Sequence, residues 1–62
     1  MNYFIIKREN VYVTTAGLSD GKSYTKNILQ AKLFASIAEA ETWKCSNEHI
    51  VHLMDEFLDF HS

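Results

Sequence analysis

Two groups of residues have types and spacings that invite chemistry. Gly17-Leu18-Ser19-Asp20-Gly21-Lys22-Ser23 resembles a phosphate-binding loop, in which successive backbone N–H groups wrap phosphate oxygens and the lysine reaches over them. Such a loop needs four residues between its first glycine and Gly-Lys-Ser, and only Leu18, Ser19 and Asp20 intervene here. A chain of 62 residues also lacks room for the parallel sheet that carries the loop. The segment is therefore read as a connector with turn chemistry at Asp20-Gly21.

The second group is Cys45, His49 and His52. On a helix these stand at i, i+4 and i+7 on one face, and Glu48 or Glu56 would complete a zinc shell. On a strand the two histidines point to opposite faces and no site forms. The spacing matches no standard finger, and the set comes from one segment, so the residues are read as two surface histidines and a half-buried cysteine. Asp55, Glu56 and Asp59 beside Phe57, Leu58 and Phe60 read as a solvated face next to an apolar one, not as paired catalytic carboxylates. A domain of this size has little interior from which to build a water-excluding cleft. The chain is expected to carry no catalytic, cofactor-binding or metal-ligating residue, and to be no enzyme.

The elements that would position these residues are few. A 62-residue chain makes one small α+β domain with a single modest core, at 47% hydrophobic and 13% aromatic composition. Cys45 has no partner for a disulfide, which suits a reducing compartment. No signal peptide is visible and no apolar run approaches the ~20 residues of a membrane span, so a cytoplasmic protein is expected.

Tyr3–Arg8 and Val11–Thr15 are rich in β-branched and aromatic residues around Glu9-Asn10. A two-residue turn there, with Asn10 tolerating the left-handed conformation, sets Arg8 opposite Val11 and Ile6 opposite Val13. Phe4, Ile6, Val11 and Val13 then form the core face, while Tyr3, Ile5, Lys7, Tyr12 and Thr14 line the other. Thr25 is expected to cap a short helix carrying Ile28, Leu29, Ala31 and Leu33. Ser36-Ile37-Ala38-Glu39 fits a capping box that opens a second helix, from about Ile37 to Lys44, burying Ile37, Ala40 and Trp43. Phe34 anchors the junction. Residues 48–60 read two ways. Ile50, Leu53, Met54, Phe57 and Leu58 make a helical stripe, yet His49-Ile50-Val51-His52-Leu53 also reads as a strand that would support the hairpin.

The order of these signals resembles small accessory proteins of phages and prophages of Gram-positive bacteria. The matching residues are Tyr3, Ile5, Lys7, Tyr12, Val13, Ala31, Phe34, Ser36, Glu39, Ala40 and Glu41. Thr25 departs from that pattern's spacing by one residue. The resemblance implies a closing strand at about Glu48–Met54 followed by an acidic, aromatic tail, and it supplies no catalytic residue. Phe34, Ser36, Glu39 and Ala40 are also similar to the hairpin-and-helix module at the amino terminus of some RNase H enzymes. That module's tryptophan and cysteine after the second strand are missing here.

Charge divides along the chain. Residues 1–32 carry five cations against two anions, 5 − 2 = +3, and residues 33–62 carry one against six, 1 − 6 = −5. The expected function is a protein-interaction module of the phage accessory type, docking on a host or phage protein. Its contact residues would be Tyr3, Ile5 and Tyr12 on the sheet, or Asp55, Phe57, Leu58 and Phe60 near the end. Self-association through the latter is a further expectation. The alternative is nucleic-acid binding by Lys7, Arg8, Lys22 and Lys26 with Tyr3 and Tyr12 as stacking platforms, although a net charge of −2 argues against strong phosphate binding.

Overall fold

Glu9-Asn10 turns the chain into a hairpin whose strands are β1, Phe4–Arg8, and β2, Val11–Thr14. Arg8 pairs with Val11 and Lys7 with Tyr12, the register that a two-residue turn dictates. The left-handed residue is Glu9, at φ 53°, not the expected Asn10. The computed structural model describes residues 3–15 and 23–61. Of the loop-like segment 16–23, residues 16–22 lie outside the described residues, and with them all of the candidate phosphate loop but Ser23.

Two further strands complete an antiparallel sheet in the order β3-β2-β1-β4. The edge strand β4, His49–His52, runs against β1, with Ile5 opposite Val51 and Ile6 opposite Ile50. On the other edge β3, Ser23–Thr25, pairs with β2. Thr25 therefore lies in a strand and does not cap a helix. Its hydroxyl instead accepts the Asn27 N–H, and Asn27 caps a single 3-10 turn, Ile28–Gln30, by accepting the Leu29 N–H at 3.0 Å.

The capping-box serine behaves as its spacing demands. Ser36 Oγ accepts the Glu39 N–H at 3.2 Å and opens helix α1, Ile37–Glu41. The helix ends at Glu41, with Thr42 as its C-cap, short of the expected Lys44. Ala40 is buried and Trp43 half-buried, but Ile37 is exposed. Residues 48–60 satisfy both sequence signals in succession: the strand β4 is followed at once by helix α2, Leu53–His61. The acidic, aromatic stretch is thus helical, not an extended tail.

The sheet is covered on both sides, which corrects the expectation of a single core face. Ile5 and Ile6 are neighbours on opposite faces and both are 0% exposed. Under one face Ile6, Val13, Phe34 and Ala40 pack with Phe4, Trp43 and Ile50. Under the other, Ile5, Tyr12, Ile28 and Ala31 pack with Val51 and Leu53. The cause lies in β1, where Phe4-Ile5-Ile6 is an unbroken apolar run, the pattern of a strand with no wet face. Residues 32–34 close the fork where β1 and β2 diverge. Lys32 N–H donates to the Val13 carbonyl at 2.9 Å, and Phe34 and Phe4 exchange backbone hydrogen bonds at 2.8 Å each. Lys32 and Phe34 thereby face α1, while Ala31 and Leu33 face the side of α2. Among the described residues no helix is long and apolar enough to cross a membrane.

Candidate functional site

Helix α2 reaches the sheet through polar contacts at Glu56. Lys7 Nζ lies 2.7 Å from Glu56 Oε2, and the Tyr12 hydroxyl donates to the same oxygen at 3.1 Å. Glu56 thus turns inward, beside Leu53 in the core of that face. Of the residues foreseen as a nucleic-acid platform, Tyr12 is buried and Lys7 is paired with Glu56, whereas Arg8 and Lys26 are exposed and Lys22 lies outside the described residues. Burial also corrects the expectation of Ile5 and Tyr12 as an open contact face, since the 3-10 turn and α2 cover them. Tyr3 is half-buried, and its carbonyl accepts the Leu53 N–H at 2.9 Å, so it serves the β4–α2 junction.

Between α2 and the segment 28–33 the cover is incomplete. An apolar groove of about 380 Å³ opens there, with Ile28, Leu29, Ala31 and Leu33 on one wall and Leu53, Met54 and Phe57 on the other. Leu29 is 80% exposed, and Leu58 stands exposed on α2 beyond the groove at 61%. Asp55 is exposed as well. Successive residues step about 100° around an α-helix, so Asp55 lies on the flank of α2 turned away from Phe57 and the groove. Of the expected contact residues, Phe57 lines the groove, Leu58 stands beyond it, and Asp55 lies on the opposite flank of the same helix. Phe60 belongs to α2, but its side chain is outside the description.

Sequence reasoning missed the opposite wall. The sequence places Leu29 and Leu33 on a short helix, and the available signal is an excess of apolar residues. Ile28, Leu29, Ala31 and Leu33 are more than one turn of helix can bury on one side.

The metal-like group does not assemble. His49 and His52 lie on β4, three residues apart, and so project to opposite faces. The His52 ring meets Phe4 edge-on at 5.3 Å, and Cys45 is exposed, not half-buried. Among the described residues no three His, Cys, Asp or Glu side chains come together as a ligand set.

The face under α1 carries a different polar brace. Glu48 is fully buried, accepts the Cys45 N–H at 2.8 Å through Oε1, and accepts the Tyr24 hydroxyl through Oε2. Tyr24 lies in β3 and Glu48 immediately precedes β4, so this contact ties the two edges of the sheet together. Arg8 stacks over the Tyr24 ring at 5.4 Å, and Lys32 lies 4.9 Å from the Trp43 ring and 5.3 Å from that of Phe34. Among the described residues every buried polar side-chain atom has a hydrogen-bond partner.

The two faces therefore offer different chemistry. The α1 face is closed by aromatic stacking and a buried carboxylate. The α2 face exposes a groove lined by hydrocarbon and sulfur, with no titratable group in its walls. Such a surface takes up apolar side chains. Comparison with protein-family models, with curated proteins and with solved structures finds no match for this chain.

Proposed function

We propose that this chain is a non-enzymatic protein-interaction module whose docking site is the groove between α2 and residues 28–33. One observation carries the reading: a domain of this size, closed on one side of its sheet, leaves about 380 Å³ of apolar groove open on the other. The occupant is an amphipathic helix of a partner protein, its apolar residues at i, i+3, i+4 and i+7 lying along the groove. Charge selects among such helices. The half of the chain that supplies the α2 wall is acidic, residues 33–62 summing to 1 − 6 = −5, and its long-range field favours a partner helix with lysine or arginine on its flanks. The residue pattern shared with small phage and prophage accessory proteins supports the same type of action, in which docking changes the activity of a host or phage protein.

The test is a titration of isotope-labelled protein with two model peptides. Both form amphipathic helices with the same leucine stripe; one is flanked by lysines and the other by glutamates. The basic peptide is expected to shift the resonances of Leu29, Leu33, Met54 and Phe57, and Leu29→Asp is expected to abolish the effect. Failure of both peptides to bind, or binding that survives Leu29→Asp, overturns the proposal. Perturbation centred on Arg8 and Lys26 by a single-stranded oligonucleotide, weakening steeply with salt, would favour nucleic-acid binding instead.

A further inference from the structure

The ladder between β1 and β4 leaves backbone groups on the outer edge of β4 whose identity follows from the register. In an antiparallel pair, opposed residues alternate between those that exchange hydrogen bonds with each other and those that do not. The Leu53 N–H donates to the Tyr3 carbonyl, which places Tyr3 and Leu53 in the bonded class. Ile5–Val51 and Lys7–His49 fall in the same class, and Phe4–His52 and Ile6–Ile50 fall in the other. Phe4 confirms the phase independently, because its N–H and carbonyl point away from β4 and bond to Phe34. The N–H groups of Ile50 and His52 and the carbonyl of Ile50 therefore point outward. The His52 carbonyl stands at the start of α2, where a residue in that position accepts the first helical N–H. Among the described residues no strand pairs with this edge.

Two donors and one acceptor in a row form the template for an added strand. Two of the usual protections of an edge, proline and lysine, are absent from His49-Ile50-Val51-His52. Ile50 and Val51 are only half-buried, so an added strand would gain an apolar neighbour on each face of the sheet.

We propose that the β4 edge is a strand-addition site for an extended segment of a partner protein. That segment runs antiparallel, alternates β-branched residues and carries a lysine or arginine beside α2. Charge selects this occupant over a second copy of the chain. Phe57 faces the segment 28–33, which covers Ile5 and Tyr12 on the β1–β2 side, so the exposed Asp55 on the opposite flank of α2 overlooks the β4 edge. Two copies joined antiparallel through β4 would bring both α2 helices onto the same face with their Asp55 flanks opposed. A basic strand meets the same carboxylate favourably. This site is separate from the groove, and either can stand without the other.

Amide hydrogen exchange on the whole chain tests the proposal, with the peptide acetyl-Lys-Val-Thr-Val-Thr-Lys-amide as probe. In the free protein the Ile50 and His52 amides should exchange fast, and those of Val51 and Leu53 slowly. Saturating peptide should slow Ile50 and His52 by about tenfold or more while leaving the groove residues unchanged. The same peptide N-methylated at its central nitrogens should protect nothing, since it keeps the side chains and loses the ladder. Ile50→Pro removes an outward N–H without touching the bonds to β1, and should abolish protection at His52. Four results overturn the proposal: no protection at millimolar peptide, equal protection by the N-methylated probe, protection confined to Met54 and Phe57, or protection of Ile50 and His52 without peptide that grows with protein concentration. The last would make the occupant a second copy.

Discussion

The two faces of this sheet use nearly the same number of apolar residues, yet one is closed and the other is not. On the α1 face a ring system does the sealing: Phe34, fully buried, meets Trp43 edge-on at 5.9 Å and is flanked by Lys32. On the α2 face the corresponding positions are held by Ile28 and Ala31, which are smaller, and by Leu53, which is half-buried. The helices differ too. The five-residue α1 sits tight through Ala40, which allows close approach. The nine-residue α2 is tied to the sheet through Lys7 and Glu56 and leaves the groove beside it. A chain this short has material to close one side of its sheet with aromatics; on the other the gap is left as surface.

The largest effect separating the faces should come from the aromatic pair Phe34 and Phe57. Phe34→Ala should cost about 3–5 kcal/mol, most of what a domain of this size possesses, because the fully buried side chain packs among Ile6, Val13, Ala40 and Trp43 under α1. Chemical denaturation should show a largely unfolded protein with the near-ultraviolet signal of Trp43 lost. Phe57→Ala, on a groove wall and 36% exposed, should cost about 1 kcal/mol or less. Equal losses for the two variants would show that the α2 face is as closed as the other.

Next in size is the buried carboxylate. Glu48→Ala strands the Cys45 N–H and the Tyr24 hydroxyl, each at a cost of about 1–3 kcal/mol where burial is complete. Tyr24 is partly exposed, so its hydroxyl can recover water and Tyr24→Phe should lose less than Glu48→Ala. Thermal unfolding resolves the order, since 1 kcal/mol moves the midpoint by about 4–8 °C in a domain this small. A Tyr24→Phe loss matching that of Glu48→Ala would place the whole brace on the Tyr24 bond and none on Cys45.

The Lys7–Glu56 pair should matter less, although its geometry is good. The Lys7 side chain is 31% exposed and that of Glu56 12%, so water screens the attraction. A double-mutant cycle with Lys7→Met and Glu56→Gln should give a coupling of about 0.2–1 kcal/mol, shrinking as salt rises. A larger, salt-independent coupling would mean that α2 is locked down as firmly as α1.

The parts of this fold legible in the sequence are those with dense local signals. The β1–β2 register follows from Glu9-Asn10 between two β-rich runs, and the start of α1 follows from Ser36 and Glu39. Segment 49–61 carried two true signals, a strand of four residues and a helical stripe, and neither marks where one yields to the other. β3 was hidden because Ser23-Tyr24-Thr25 is too short to show an alternation and follows a turn-rich stretch. Assigning one wet face to the hairpin failed for a non-local reason: whether Ile5 or Ile6 faces solvent depends on 28–31 and α2 arriving over the far side. The candidate site suffered most, since a groove between two segments twenty or more residues apart leaves no spacing to read. Phe57 and its neighbours drew notice only because their hydrophobicity exceeded any obvious use.

The smallest effect on stability should accompany the largest on binding. Leu29 is the most exposed large apolar side chain among the described residues and contributes little to the core. Leu29→Ser should leave the unfolding midpoint within about 0.5 kcal/mol of the parent, because a side chain already in water loses little by becoming polar. The same change removes the outer lip of the groove, and affinity for a basic amphipathic helix should fall by about tenfold, the scale of one apolar anchor. The opposite pattern, stability lost with binding kept, would show that Leu29 packs inward in solution and that the groove closes on its own side chains. The two faces would then be alike, and the docking role would have to move to the edge at β4.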